Sequence, residues 1–176
     1  MCLLMKQREI IQLLARYLIL IILSIGNLYL FYAVFTPLTV YPVSWILNIF
    51  YNAFIMNETM INLNGIIISI IPACVAGAAY YLLLVLNMTT PMKINKRIKS
   101  ILFLFLSFLA LNILRMIIFS TLYLNGFEYF NLAHKTVWYA GSTIILAGIW
   151  FVNVWIFNIN KIPVYTDINE IVKSIR

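Results

Sequence analysis

The sequence predicts an all-α polytopic membrane protein with about four transmembrane helices, an interfacial helix and a small extracytoplasmic β-hairpin. The first observation is composition: 64% of the 176 residues are hydrophobic and 10% are charged, against about half and a quarter in soluble domains. The second is that long uncharged runs recur along the chain, and the third is that basic residues flank these runs. This composition argues against a soluble enzyme and a disordered chain, and two cysteines are too few for a disulfide framework.

Four segments are predicted to cross the bilayer, because a span needs about 20 mainly apolar residues. The first run is too long for the core of a cleavable signal peptide, so we expect it to be retained. No repeat or soluble domain interrupts the pattern, so residues 1–176 are read as a single membrane domain. The predicted spans are residues 17–35, 73–92, 100–123 and 136–158.

The stretch between the first two spans is predicted to lie at the outer membrane surface. Pro37 and Pro42 are expected to end the first helix. Residues 43–56 are too few to cross the bilayer and are therefore interpreted as an interfacial helix. Asn64 and Gly65 separate two runs rich in isoleucine, and Asn-Gly in that setting predicts a hairpin over about residues 59–71.

The distribution of basic residues predicts the orientation. Ten of the twelve lysines and arginines fall on one side of this four-span arrangement, which the positive-inside rule makes cytoplasmic. We therefore expect cytoplasmic termini, a plasma-membrane location and no nucleic-acid partner, despite the net charge of +7. The ten are Lys6, Arg8, Arg16, Lys93, Lys96, Arg97, Lys99, Lys161, Lys173 and Arg176.

Three polar residues from three predicted spans come to nearly one depth. By helix rise, Cys74 lies roughly 28 Å and Arg115 roughly 24 Å above the cytoplasmic boundary, and His134 immediately precedes the fourth span at the outer boundary. Each has an ordinary explanation: a buried cysteine as a small hydrophobe, an interfacial histidine, or an arginine that snorkels to headgroups. Their common level favours a site, because a charge within the membrane needs a partner.

The residues around Cys74 suggest thiol chemistry. Pro72 is expected to open a helix with Cys74 in its first turn, where unpaired N–H groups and the helix dipole favour a thiolate. Arg115 would favour it further, and His134 would exchange the thiol proton with a leaving group. Asn112 is three residues before Arg115 and so faces the same groove, in a supporting role. The sequence predicts no cofactor and no metal site.

Three short motifs in order resemble the exosortase/archaeosortase family, and in particular a small archaeosortase-type member, over roughly residues 40–158. The resemblance implies a membrane cysteine transpeptidase with Cys74 as nucleophile, Arg115 as oxyanion stabiliser or proton donor, and His134 as base or transition-state stabiliser. The motifs are Pro72-Ala73-Cys74-Val75-Ala76-Gly77, Asn112-Ile113-Leu114-Arg115, and Ala133-His134 followed by Gly141.

Two functional hypotheses follow. The resemblance implies a thiol protease that cleaves C-terminal sorting signals of surface proteins through an acyl-thioester on Cys74 and transfers them to an envelope or lipid acceptor. Its substrates would carry a short motif, a hydrophobic helix and a basic tail. The alternative is a non-enzymatic four-span carrier or assembly subunit that binds a lipid headgroup or an anionic ligand through Arg115.

Overall fold

The computed structural model describes residues 2–165 and 168, with side chains described from residue 11 onward. It is mostly helical, with one small sheet between the second and third helices. The elements are α1 (Cys2–Ser24), α2 (Tyr29–Phe50), β1 (Ala53–Asn57), β2 (Met60–Leu63), β3 (Ile66–Ser69), α3 (Pro72–Val75), α4 (Gly77–Met88), α5 (Ile94–Leu124), α6 (Phe130–Thr136), a π-helical turn (Val137–Gly141) and α7 (Ser142–Ile156).

Three helical segments of the described chain are long and apolar enough to cross a membrane. They are α2, α5 and the continuous stretch Phe130–Ile156, which comprises α6, the π-helical turn and α7. The apolar helical segments Ile11–Ser24 and Pro72–Met88 are shorter. The chain is therefore a helical protein with at least three candidate membrane spans.

The prediction of one helix over residues 17–35 is wrong. Helix α1 ends at Ser24, and α2 begins at Tyr29. Between them Gly26, Asn27 and Leu28 have positive φ angles of 80°, 54° and 60°. Glycine and asparagine enter this left-handed region more readily than other residues, and a helix cannot continue through it.

The interfacial helix over residues 43–56 is also corrected, because α2 continues through Pro37 and Pro42 to Phe50. Each proline removes a backbone donor, but packing against neighbouring helices allows an apolar helix to retain prolines. Val40 and Val43, which lie beside Pro42, are each only 1% exposed. The end of the predicted interfacial helix is instead β1, at Ala53–Asn57.

The predicted hairpin is present and has a third strand. The sheet order is β1-β2-β3, with both pairs antiparallel. Asn64 and Gly65 form the β2–β3 turn with φ angles of 51° and 89°, the conformation for which Asn-Gly is suited. Ile61 and Leu63 of β2 are buried, so one face of the sheet covers the helical core.

Helix α5 runs antiparallel to both α4 and α7, as contacts near its two ends show. At one end, the Asn87 amide donates to Ser100 Oγ at 2.7 Å, and this hydroxyl donates to Asn153 Oδ1 at 2.8 Å. At the other end, Cys74 of α3 lies beside Arg115 of α5. Cys74 is therefore at the end of the bundle that the sheet covers.

Basic residues cluster at the end of the bundle opposite Cys74. Arg16 donates to the carbonyl of Met88 at 3.1 Å, and Lys96 donates to the carbonyl of Asn158 at 3.0 Å. Arg97 is only 6% exposed and donates to the carbonyls of Asn87 and Thr90 at 2.7 and 3.0 Å. These two hydrogen bonds stabilise the connection between α4 and α5. Lys173, Arg176 and the side chains of Lys6 and Arg8 lie outside the described residues.

Candidate functional site

Cys74 lies on a helical turn that is separated from the following helix. Helix α3 is one turn long, and the N–H of Cys74 donates to the Ile71 carbonyl at 2.8 Å. The helix ends at Val75 and is followed by Ala76, whose φ of 58° is left-handed. The predicted span over residues 73–92 is therefore interrupted at Ala76, and α4 ends at Met88. A four-residue helix has a small dipole, so the helix N-terminus favours a Cys74 thiolate less than the sequence suggested.

The break at Ala76 leaves the Cys74 carbonyl without its helical partner, and two side chains of α5 replace it. Arg115 Nη2 donates to the Cys74 carbonyl oxygen at 3.2 Å. The amide of Asn112 donates to the same oxygen at 3.0 Å and approaches the Val75 carbonyl oxygen at 3.4 Å. Asn112 is 4% exposed, so the two residues hold the Cys74 turn from inside the bundle.

The second partner of Arg115 comes from the final helical segment. Arg115 Nη1 donates to Ser142 Oγ at 2.8 Å, and that hydroxyl donates to the Val137 carbonyl oxygen at 3.2 Å, across the π-helical turn. Turns of this kind are rare and often occur at functional sites. The guanidinium therefore connects α5, the Cys74 turn and the start of α7.

His134 of α6 packs against two aromatic rings, one from α6 and one from α5. Its imidazole stacks on Phe130 at a centroid distance of 5.5 Å and an interplanar angle of 7°. Phe119 of α5 packs against it edge-on at 5.2 Å. The ring is half-buried, and these two contacts restrict its orientation.

Cys74 and His134 line one cavity of about 320 Å³ between the sheet and the helices. Its walls are mainly apolar, and among the described residues the lining includes no lysine, arginine, aspartate or glutamate. Arg115 and Asn112 instead line a separate void of about 10 Å³, which has space for about one water. The large cavity is lined by Val43, Leu47, Ile61, Leu63, Ile67, Ile68, Ser69, Ile70, Ile71, Cys74, Met116, Phe119, Ser120, Tyr123, Phe130 and His134.

The structure thus brings all four sequence-predicted site residues to one region, in two arrangements. Cys74 and His134 share the large cavity, whereas Arg115 and Asn112 contact the backbone of the Cys74 turn. A cysteine and a histidine that line one apolar space are a residue pair suited to acyl transfer with proton exchange. The contact of Arg115 with the Cys74 carbonyl is suited to positioning this candidate nucleophile.

Sequence reasoning missed Ser142 and Ser120. Ser142 follows Gly141, and the presence of a hydroxyl at the start of an otherwise apolar span was a weak signal of a partner for Arg115. Ser120 is eight residues after Asn112, and Met116 is four residues after it, so all three share one helix face. All three are buried, and Ser120 lines the large cavity.

Among the described residues, no group of three or more His, Cys, Asp or Glu side chains is arranged to hold a metal ion. Comparisons with protein-family models, curated proteins and solved structures gave no match.

Proposed function

We propose that this protein is a membrane-embedded cysteine peptidase or transpeptidase that processes C-terminal sorting signals of surface proteins. The observation that carries the proposal is that Cys74 and His134 line the same cavity, while Arg115 and Asn112 donate to the carbonyl oxygen of Cys74. The resemblance of the three motifs to exosortases and archaeosortases supports the same assignment.

In the proposed reaction the Cys74 thiolate attacks the carbonyl carbon of the scissile peptide bond. His134 accepts the thiol proton and returns it to the departing amine, so that an acyl-thioester and a free amine result. A nucleophile from the envelope, such as a lipid or protein group, then attacks the thioester and regenerates the thiol. Arg115 acts through the Cys74 turn as a positioning residue, and oxyanion stabilisation or proton donation by this residue requires its guanidinium to reach the large cavity.

The proposed arrangement has four passes: α2, the Pro72–Met88 segment, α5 and the Phe130–Ile156 segment. Basic residues at the end of the bundle near Met88 and Asn158 support a cytoplasmic location for that end, by the positive-inside rule. The cavity with Cys74 then opens near the extracytoplasmic face of the plasma membrane. A substrate anchored by a C-terminal hydrophobic helix and a basic tail would place its scissile bond at this level.

The direct test is processing of a tagged substrate with a helical C-terminal signal, co-expressed with this chain and analysed by mass. We expect cleavage or acceptor transfer with the wild-type chain and complete loss with Cys74→Ser, at equal membrane insertion. Cys2→Ser is the matched control, because it removes the other cysteine and should leave processing unchanged. Wild-type processing by Cys74→Ser would reject the catalytic proposal.

One observation favours the alternative, a non-enzymatic carrier or assembly subunit. Arg115 Nε is buried, with no hydrogen-bond partner among the described residues, so the guanidinium has an unused donor for an anion or a headgroup. The adjoining void of about 10 Å³ is too small for such a ligand unless the helices separate. Under this alternative Cys74→Ala is tolerated and loss of function follows only from changes at Arg115.

A further inference from the structure

Strand β3 has an unpaired edge. Its only strand partner in the described sheet is β2. The Ile70 N–H donates to the Thr59 carbonyl at 2.8 Å, and hydrogen-bonded pairs alternate along an antiparallel ladder. In this register, the backbone groups of Ile66 and Ile68 therefore face β2, and those of Ile67 and Ser69 face away from it.

This free edge faces the large cavity. Five consecutive residues, 67–71, line that cavity. Successive side chains of a strand point to opposite faces of a sheet, so a cavity against one face would contact only alternate residues. Contact with consecutive residues indicates that the edge of the strand, with the backbone N–H and C=O groups of Ile67 and Ser69, borders the cavity.

The same edge leads directly to the candidate nucleophile. Ser69 is five residues before Cys74 in the chain, and both residues line the cavity. Unpaired backbone groups beside an apolar space are costly unless a partner satisfies them. An extended peptide has donors and acceptors at the spacing of a strand edge, and this is how peptides add to exposed sheets.

We propose that the segment of the substrate next to the scissile bond binds as a fourth strand on the edge of β3, with its backbone paired to Ile67 and Ser69. This inference rests on the proposed peptidase function and specifies how the substrate is held. The segment is extended and apolar on the side that faces Met116, Phe119 and Phe130, the helical residues that line the same cavity. Backbone pairing over about three residues, roughly 10 Å, then delivers the next carbonyl to Cys74.

The protein-side test compares Ser69→Pro with Ser69→Ala in a Cys2→Ser background. Proline removes the outward N–H of residue 69 without removing a β2–β3 hydrogen bond, and edge strands tolerate it. The probe is an apolar tetrapeptide that carries a chloromethyl ketone and alkylates Cys74. We expect Ser69→Pro to slow this alkylation by about tenfold, since the backbone hydrogen bond from residue 69 to the peptide is lost. Ser69→Ala retains the N–H of residue 69 and therefore measures the effect of losing the side chain alone. Iodoacetamide, which needs no strand pairing, measures the intrinsic reactivity of Cys74 in each variant, so the effect of about tenfold is expected in the ratio of the peptide rate to the iodoacetamide rate.

The peptide-side test uses the same electrophile with one backbone nitrogen methylated at a time. Strand pairing predicts an alternating result: methylation weakens labelling at nitrogens that face β3 and is tolerated at the nitrogens between them. A uniform effect at all positions, an unchanged rate in Ser69→Pro, or a failure of every apolar peptide to label Cys74 would overturn the inference. Cys74-dependent processing that persists in Ser69→Pro would reject only the strand addition, whereas processing without Cys74 would reject the proposed function itself.

Discussion

Arg115 Nη2 donates to the backbone carbonyl oxygen of Cys74 at 3.2 Å, across the interface between α5 and the turn that precedes α4. This contact joins the one arginine predicted within a span to the backbone of the candidate nucleophile. The cation is held by main-chain and hydroxyl oxygens, since its second contact is Ser142 Oγ at 2.8 Å. Its position therefore depends on two hydrogen bonds in fixed directions as well as on charge.

Arg115→Lys tests this dependence on geometry. A lysine retains the charge but cannot reproduce the planar fork that reaches Cys74 and Ser142 together. We expect processing to fall by about tenfold or more, with unchanged insertion and slower alkylation of Cys74 by iodoacetamide, because the loss of a charge-assisted hydrogen bond is worth about 1.5 to 3 kcal/mol.

Ser142→Ala is the matched comparison, because it removes one contact of Arg115 and leaves the Cys74 contact in place. It should reduce processing less than Arg115→Lys does. Equal activity of Arg115→Lys and the wild-type chain would show that positive charge alone is sufficient at this position.

Ala76→Gly tests the left-handed residue that separates α3 from α4. At a φ of 58° an alanine pays about 1 to 2 kcal/mol that a glycine avoids, partly offset by the greater chain entropy of glycine in the unfolded state. We expect the free energy of unfolding in detergent micelles to be unchanged or raised by up to about 1 kcal/mol, whereas Ala76→Val should lower it.

Ala110→Gly is the control, because Ala110 is an exposed residue inside α5. Glycine there should lower the free energy of unfolding by about 1 kcal/mol. If both glycine variants are destabilised equally, the backbone at residue 76 is helical and the separation of the Cys74 turn from α4 is wrong.

Ser100→Ala tests the hydrogen-bonded connection at the opposite end of the bundle. Ser100 accepts from Asn87 and donates to Asn153, and the three residues are 0% exposed. Removal of the hydroxyl leaves two buried amide groups without this partner, so the free energy of unfolding should fall by about 1 to 2 kcal/mol.

Ser107→Ala, on the same helix and partly exposed, should change the free energy of unfolding by less than about 0.5 kcal/mol. Titration with a denaturing detergent, followed by helical circular dichroism, measures both variants. A Ser100→Ala protein as stable as the Ser107→Ala protein would mean that the connection contributes nothing to stability.

The four-pass topology predicts that the start of α5 and the start of the Phe130–Ile156 segment are accessible from opposite sides of the membrane. Lys99→Cys and Lys135→Cys, each in a Cys2→Ser, Cys74→Ser background, place single thiols at exposed positions. An impermeant maleimide added to intact cells should label residue 135, and label residue 99 only after the membrane is opened. Labelling of both residues in intact cells contradicts the proposed topology.

Helix rise was sufficient to predict that Cys74 and Arg115 lie at a similar depth, because 1.5 Å per residue holds along any regular helix. The Asn64-Gly65 turn was also predictable, since these two residues by themselves favour the backbone conformation of a two-residue hairpin turn. These features are readable from sequence because neighbouring residues in the chain determine them.

The features that sequence reasoning missed depend on packing. Leu28 and Ala76 adopt left-handed conformations that neither residue favours by itself, so tertiary contacts must stabilise them. Pro42 would end a helix in water, but the helix continues where its neighbours are buried. The pairing of Ser142 with Arg115 likewise arises only when α5 and α7 are adjacent.

The left-handed residue Ala76 also determines which part of the molecule carries the thiol. Cys74 is joined to β3 by a short stretch of chain and is uncoupled from the axis of α4. Tilting of α5, as occurs when a bilayer becomes thinner, reaches the Cys74 turn through the side chains of Asn112 and Arg115, whereas α4 is joined to that turn through the left-handed residue Ala76. A displacement of the sheet is transmitted to Cys74 along the short stretch of chain that follows β3, so the position of the candidate nucleophile depends on the sheet as well as on the helices.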